Sequence, residues 1–351
     1  MNTVETKERW AESGAHEVAP HTFRIPLPLP DDGLRAVNVY ALTSEDGVVL
    51  IDGGWAIEGA EDHLIRMLAL LGHQPEDVRD IIVTHAHRDH YTLAVNLRKR
   101  WRSRISIGSH ERESLEDLAV RAPYTDPRQV SMLQRAGASD LADAMREIET
   151  PFDKAQWELP DVWLDDRSVV ELPRGRTLEV IHTPGHTTGH IVLLDRAEGL
   201  LFSGDHVLPH ITPSLGYEEI PQAAPLADYL SSLNLLRAMP DTRMLPAHGP
   251  STPSVHARVD ALLEHHAERL ELTLQVLAAG QLSPFEITQE LRWTRRRKPL
   301  SALDPFNQAL ATLETVAHLT VLAQRGLVQG EDDTAGVVRY ALAGNRAANL
   351  V

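Results

Sequence analysis

The 351-residue chain contains no cysteine, which removes disulfides, thiolate-bound zinc and thiol nucleophiles together. Any metal must therefore be held by histidine and carboxylate. Long apolar runs are also missing: none approaches the roughly 18 residues needed to span a bilayer. The charged segment from Met1 to Gly14 lacks the apolar core and small-residue cleavage site of a secretory signal. These absences predict a cytoplasmic chain with no membrane partner. Positive charge is scarce as well. With 34 Lys and Arg against 50 Asp and Glu the formal charge is −16, which disfavours a general nucleic-acid-binding surface, because phosphate contacts need clustered cations. What is present, 42% hydrophobic and 24% charged residues, is the composition of a globular protein able to bury a sizeable core.

The densest chemistry lies in Val83-Thr84-His85-Ala86-His87-Arg88-Asp89-His90. A pattern His-x-His-x-Asp-His arises by chance in a chain of this length with probability on the order of a few in a thousand. It follows the apolar run Asp80 to Thr84, read as a strand, and precedes a helix from Tyr91 to Trp101 that Asp89 can start. A strand end, a short loop and a helix start bring His85, His87, Asp89 and His90 to one rim. Three later segments put further ligand types just past strand ends: Thr183-Pro184-Gly185-His186, Phe202-Ser203-Gly204-Asp205 and Pro246-Ala247-His248-Gly249. Asp52, in Asp52-Gly53-Gly54, reads either as a turn residue or as an acceptor beneath a metal site. His190 reads as support for a ligand or as strand packing, and His206 and His210 as surface or packing residues at least as readily as cleft residues. His182 has no partner evident in the sequence.

Around these motifs, Val37 to Leu42 and Val48 to Ile51 predict a hairpin turning at Ser44 to Gly47, and Glu58 to Leu71 predicts a helix closed by Gly72. Strands are expected at Ile105 to Gly108, Val169 to Leu172, Thr177 to His182, Ile191 to Leu194 and Leu200 to Ser203, with a helix from Pro225 to Met239. Residues 121 to 160, polar and helical with breaks at Pro123, Pro127, Gly137 and Pro151, read as an insertion covering the rim. From about Val255 helices dominate, ending in a hairpin around Val328 and Val337 to Tyr340. Strands mixed with helices in both halves predict two sheets packed face to face with helices outside.

With these motifs the chain resembles the metallo-β-lactamase-fold hydrolases, nearest in motif style to the glyoxalase II and LACTB2-like branch. The likeness spans roughly residues 37 to 250. It implies an α/β chain, a four-layer αββα sandwich plus a small C-terminal winged-helix-like domain, divided as a catalytic domain over 1–254 with the insertion at about 121–160 and a second domain over 255–351. It also implies a site: His85, His87 and His186 match the ligands of one metal, Asp89, His90 and His248 those of a second, and Asp205 the bridging carboxylate. Imidazole and carboxylate suit zinc, and also iron or manganese, so two divalent metal ions are expected, with zinc preferred. A metal pair about 3.5 to 4 Å apart can share a water and lower its pKa. Hydrolysis by a metal-bridging hydroxide follows, with Asp89 the catalytic residue that orients it or accepts its proton.

The substrate is narrowed less. β-Lactamases of the commonest dizinc class use a cysteine at the second metal, where this chain has His90, and the basic residues by which glyoxalase II holds glutathione have no match. A small-molecule thioester or other activated acyl ester is the favoured substrate, with a lactone or a phosphodiester as alternatives. RNA is a possible partner because LACTB2-like relatives include ribonucleases and because two basic clusters occur, Arg98-Lys99-Arg100 with Arg102 and Arg104, and Arg292 with Arg295 to Lys298. A non-enzymatic reading, a DNA-binding regulator using the winged-helix-like module, is countered by the apolar character of Gln308 to Gln324. Leu310, Leu313, Val316 and Leu319 there would suit a homodimer or an internal core. Tyr91, Tyr124, Trp157 and Tyr217 are aromatic candidates for a pocket wall.

Overall fold

A computed structural model describes residues 9–30, 33–121, 128–148, 153–218 and 220–344. The chain forms two compact units from alternating segments. Met1–Arg121, Asp153–Pro213 and Ser232–Asp260 make the first, and Ala122–Phe152, Ser214–Ser231 and Ala261–Val351 the second.

Two sheets build the first unit. Seven strands, β1 (His16–Ala19), β2 (Thr22–Pro28), β3 (Ala36–Ser44), β4 (Gly47–Ile51), β5 (Val78–Val83), β6 (Arg104–Gly108) and β7 (Val162–Leu164), lie in sequence order. The pairing is antiparallel from β1 to β4 and parallel from β4 to β7. The second sheet holds β8 (Val169–Glu171), β9 (Thr177–His182), β10 (Ile191–Asp195), β11 (Leu200–Gly204) and β12 (Arg243–Pro246), with β11 and β12 parallel. Their inner faces meet in one core, where Tyr40, Ile51 and Ile82 face Val180, Leu193, Phe202 and Leu245. Residues two apart share a sheet face, so Leu178 and Val180, or Ile191 and Leu193, enter this core together. The Phe202 ring meets Tyr40 edge-on at 5.3 Å, and truncating such a buried aromatic to alanine costs about 3–5 kcal/mol.

Helices α1 (Ala60–Leu70) and α2 (Arg88–Trp101) pack on the outer face of the first sheet, and α3 (Arg112–Val120) follows β6. In the second unit α4 (Arg128–Arg135) and α5 (Ser139–Ile148) supply Val130, Leu133, Leu141 and Met145 to a core shared with Ala309 and Leu313. The expected insertion thus has an apolar side, and its helices belong to the same unit as the C-terminal segment. Helices α6 (Pro225–Ala238) and α7 (Val255–Leu277) follow in the chain. Outside the second sheet, Leu236 of α6 and Val255 of α7 border a small cavity with Leu194 and Leu201, which completes the four layers. Helix α8 (Pro284–Glu290) is opened by a Ser283–Glu286 capping box, and α9 (Pro305–Gln324) is buried at ten positions spread around it. No Lys or Arg occurs along α9. Hairpin β13–β14 (Arg292–Trp293, Lys298–Pro299) and hairpin β15–β16 (Val328–Asp332, Val338–Leu342) finish the unit. Among the described residues no helix is long and apolar enough to cross a membrane.

Strands β1 and β2 precede Val37, where the first strand is expected from the sequence. Pro26 and Pro28 hide β2, yet β1 pairs only with Thr22 to Arg24. The prolines lie beyond it, on an edge where a missing N–H costs no ladder bond.

Candidate metal centre

The loop after β5 delivers the ligands of the opening motif. His87 caps α2 in extended geometry, so His85 precedes the helix while Asp89 and His90 ride on its first turn. His85 Nε2 and His186 Nε2 each lie 3.0 Å from His87 Nδ1. Ligand atoms around a tetrahedral zinc, each about 2.0–2.1 Å from the ion, stand roughly 3.3 Å apart, so this triad has nearly the spacing of a filled site.

A second group sits beside the first. Asp89 Oδ2 is 3.5 Å from His90 Nε2 and 3.3 Å from His248 Nε2. Asp205 Oδ1 approaches the same two nitrogens at 3.7 and 3.3 Å, while its Oδ2 lies 3.6 Å from His186 Nε2. The two oxygens of Asp205 thus face the two triads. All seven residues singled out in the sequence converge here. His90 Nε2, His248 Nε2 and Asp205 Oδ1 are buried with no aligned hydrogen bond among the described residues. Leaving such groups unsatisfied costs about 1–3 kcal/mol each, and a divalent cation of the zinc class fits this donor set.

Hydrogen bonds behind the imidazoles fix which nitrogen points inward. His248 Nδ1 donates to the Ala36 carbonyl oxygen at 2.8 Å, leaving the Nε2 lone pair for a ligand. Thr84 Oγ1 donates to the Asp52 carboxylate at 3.0 Å and accepts from His85 Nδ1 at 3.0 Å, which likewise turns the His85 Nε2 lone pair inward. Asp52, 2% exposed and at φ 63°, also accepts the Thr84 backbone N–H and stands 3.1 Å from His90 Nδ1. Its role is support beneath the site. His190 accepts the Asp205 backbone N–H at Nε2, so its Nδ1 donates to Thr183 Oγ1, and it carries the Asp205 loop. That approach requires Gly204, at φ 48°, since a Cβ there would stand 2.6 Å from His190 Nε2. On the far side Asn38 Nδ2 donates to the Pro246 and Gly249 carbonyls, and Tyr40 Oη to the Pro246 carbonyl, which holds the His248 loop.

Glu111 escaped the sequence reading. Buried at 1% exposure, its carboxylate accepts from Thr187 Oγ1 at 2.5 Å and from the Ala86 backbone N–H. It therefore ties the loop of His85 and His87 to that of His186. Gly189 makes room for it, because a Cβ there would stand 2.2 Å from the Glu111 backbone nitrogen. A lone acidic residue after a strand offers no local signal for this role.

Charge divides the two halves. Burial holds His85 well below the usual histidine range and His87 down to about 3, with the neighbouring imidazoles adding to it. Burial opposes charge on His90 and His248 too, yet Asp89, Asp52 and Asp205 outweigh it at His90 and raise it to about 9. Asp205 and Asp89 likewise raise His248 well above the usual range. Burial pushes Glu111 up to about 7.

The remaining candidates are occupied elsewhere. Tyr91 is buried, stacks on Trp157 and donates to the Glu158 carbonyl. Tyr217 packs on Phe306 in the second unit, and Tyr124 lies outside the described residues. His206 is buried, and His182 stacks on His110 at 4.1 Å with Nε2 2.8 Å from the Thr188 carbonyl. Arg98 and Lys99 pair with Glu158, Arg100 with Glu61 and Arg104 with Asp80, which largely neutralises the first basic cluster. Arg295 to Lys298 are exposed.

The chain is 28% identical over 317 residues to the probable metallo-hydrolase YqjP of Bacillus subtilis (strain 168), covering 86% of this chain and 91% of that one. It is 23% identical over 344 residues to the atrochrysone carboxyl ACP thioesterase of Aspergillus chevalieri, covering 94% and 89%. A crystal structure of a metallo-β-lactamase family protein from Thermus thermophilus superposes with a TM-score of 0.77 at 26% identity, covering 93% of this chain and all of that one. Residues 32–248 match the family described as the metallo-beta-lactamase superfamily, and the chain belongs to that superfamily.

Proposed function

We propose that the chain is a dinuclear metal-dependent hydrolase acting on a thioester or another activated acyl ester. The observation that carries this reading is Asp205, one carboxylate whose two oxygens face two adjacent triads. In this assignment His85, His87 and His186 hold one divalent ion, Asp89, His90 and His248 the other, and Asp205 both. Zinc is the preferred metal because every donor is imidazole or carboxylate and the first triad has tetrahedral spacing. When bound, such a pair supplies Lewis acidity toward a carbonyl oxygen and acidifies a shared water.

The chain's own groups do the rest. Asp89, the least buried of the carboxylates at the centre, with its side chain 16% exposed, is the catalytic residue placed to orient a water or accept its proton. Asp52, Thr84 and His190 keep the ligands oriented without touching substrate. The acyl class is supported by the Aspergillus chevalieri relative, named as a thioesterase of a carrier-bound acyl group. RNA is less favoured, because the cations of the first basic cluster are already paired with carboxylates.

The test is metal analysis of the purified chain, followed by acyl-CoA, acyl-glutathione, lactone and RNA substrates with and without chelator. Thioester cleavage that chelator abolishes and zinc restores is expected. A metal-loaded chain that turns over RNA or lactone but no thioester would reject the substrate class.

A further inference from the structure

The second unit carries a cluster of metal-ligating side chains that the proposed hydrolytic centre does not use. Helix α7 presents consecutive histidines, His265 and His266, and α9 presents Glu314 and His318 four residues apart, on one face of that helix. One nitrogen from each of His265 and His266 and one carboxylate oxygen of Glu314 lie within 4.8 Å of one another. Ligand atoms in a tetrahedral zinc site stand roughly 3.3 Å apart.

The protonation pattern behind the cluster favours a ligand. His318 Nδ1 lies 2.7 Å from the Glu314 backbone carbonyl oxygen, which can only accept, so His318 carries its proton at Nδ1 and has a lone pair at Nε2. That lone pair is 3.2 Å from His266 Nδ1, so His266 donates there and its own Nε2 is left as an acceptor. A ring whose far N–H is fixed by a second acceptor is the usual state of a metal-binding histidine. The Glu314 carboxylate is raised in pKa by burial, opposed only by the charge of Arg269. Arg269 is itself committed, its guanidinium over the Trp293 ring at 4.1 Å and Nη1 donating to the Arg292 carbonyl. His265 and Glu314 are both partly exposed, so an ion has a way in.

We propose that His265, His266 and Glu314 form a separate mononuclear site for a zinc-class divalent ion, with His318 as the positioning residue that sets the His266 tautomer. This does not rest on the hydrolase assignment.

The test counts zinc per chain by mass spectrometry after desalting, in a His87→Ala, Asp205→Asn background that lacks ligands of the first centre. One tightly bound zinc is expected to remain, and to be lost when His265→Ala or Glu314→Gln is added. His265 and Glu314 are the partly exposed ligands and His266 the buried one, so the two chosen variants are the ones least able to disturb folding. If the background is unstable, the same substitutions in the otherwise native chain should lower the zinc content by one without changing the melting temperature in chelator. No zinc in a folded background, or a count that neither substitution alters, would overturn the proposal.

Discussion

The two halves of the centre are built from nearly the same residues, yet the first holds neutral imidazoles and the second holds groups of both charges. The triad of His85, His87 and His186 is imidazole alone, and burial holds His85 well below the usual histidine range and His87 down to about 3. The triad of Asp89, His90 and His248 adds a carboxylate, with Asp205 and Asp52 close by, and there His90 is lifted to about 9. Histidine binds a metal through a neutral ring. The first half is therefore ready for an ion at neutral pH, whereas the second must lose protons to take one. In the proposed assignment the two unlike half-sites meet at Asp205, whose two oxygens face them.

The contrast can be broken most strongly at that shared residue. Asp205→Asn keeps the shape and removes the charge both halves use. Because loss of an outer support typically costs 10–100-fold in affinity or activity, loss of this ligand should cost more than about a hundredfold in turnover and empty both positions, read by metal analysis and steady-state rates. Dependence on pH comes next. His90 and His248, with raised pKa values, are protonated at pH 7, so affinity of the second half should rise as pH climbs toward about 9, by up to about tenfold per unit per proton released. The first half, with His87 at about 3, should be flat over the same range. Calorimetric titration in buffers of different ionisation enthalpy reads the proton release, and equal release from both halves would erase the distinction.

Smaller changes sharpen it. Asp52→Asn weakens the acceptor that stands 3.1 Å from His90 Nδ1 and holds that ring in place, and should lower affinity in the second half by roughly 10–100-fold above about pH 9, where His90 is neutral with or without the Asp52 charge. Competition against a chelator would show one class of ion released before the other. Glu111→Gln loosens the tie between the loops of His85 and His186, and should weaken the first half by about tenfold, the low end of such effects. The same experiment would then show the opposite order of release.

How much of this is legible in the sequence depends on range. His85, His87, Asp89 and His90 fall within six residues, and His186, Asp205 and His248 each follow a strand that its own apolar run announces. The site is therefore readable from local pattern. The hairpin of β3 and β4 is readable for the same reason, with Ser44 pairing Gly47 across a two-residue turn. What escapes is set by distant partners. Strand β2 is masked by Pro26 and Pro28, although it pairs with β3 along its whole length. Helices α4 and α5 look polar until α9 gives their apolar sides a core. Glu111 and His318 matter through a loop or a helix tens of residues away, and nothing adjacent to them in the chain says so.

Electron paramagnetic resonance of the chelator-stripped chain reloaded with manganese tests the shared-carboxylate centre most directly. Two ions joined through Asp205 should give a spin-coupled multiline spectrum that appears with the second equivalent and vanishes in Asp205→Asn. A spectrum of isolated ions alone at every loading would contradict a dinuclear centre.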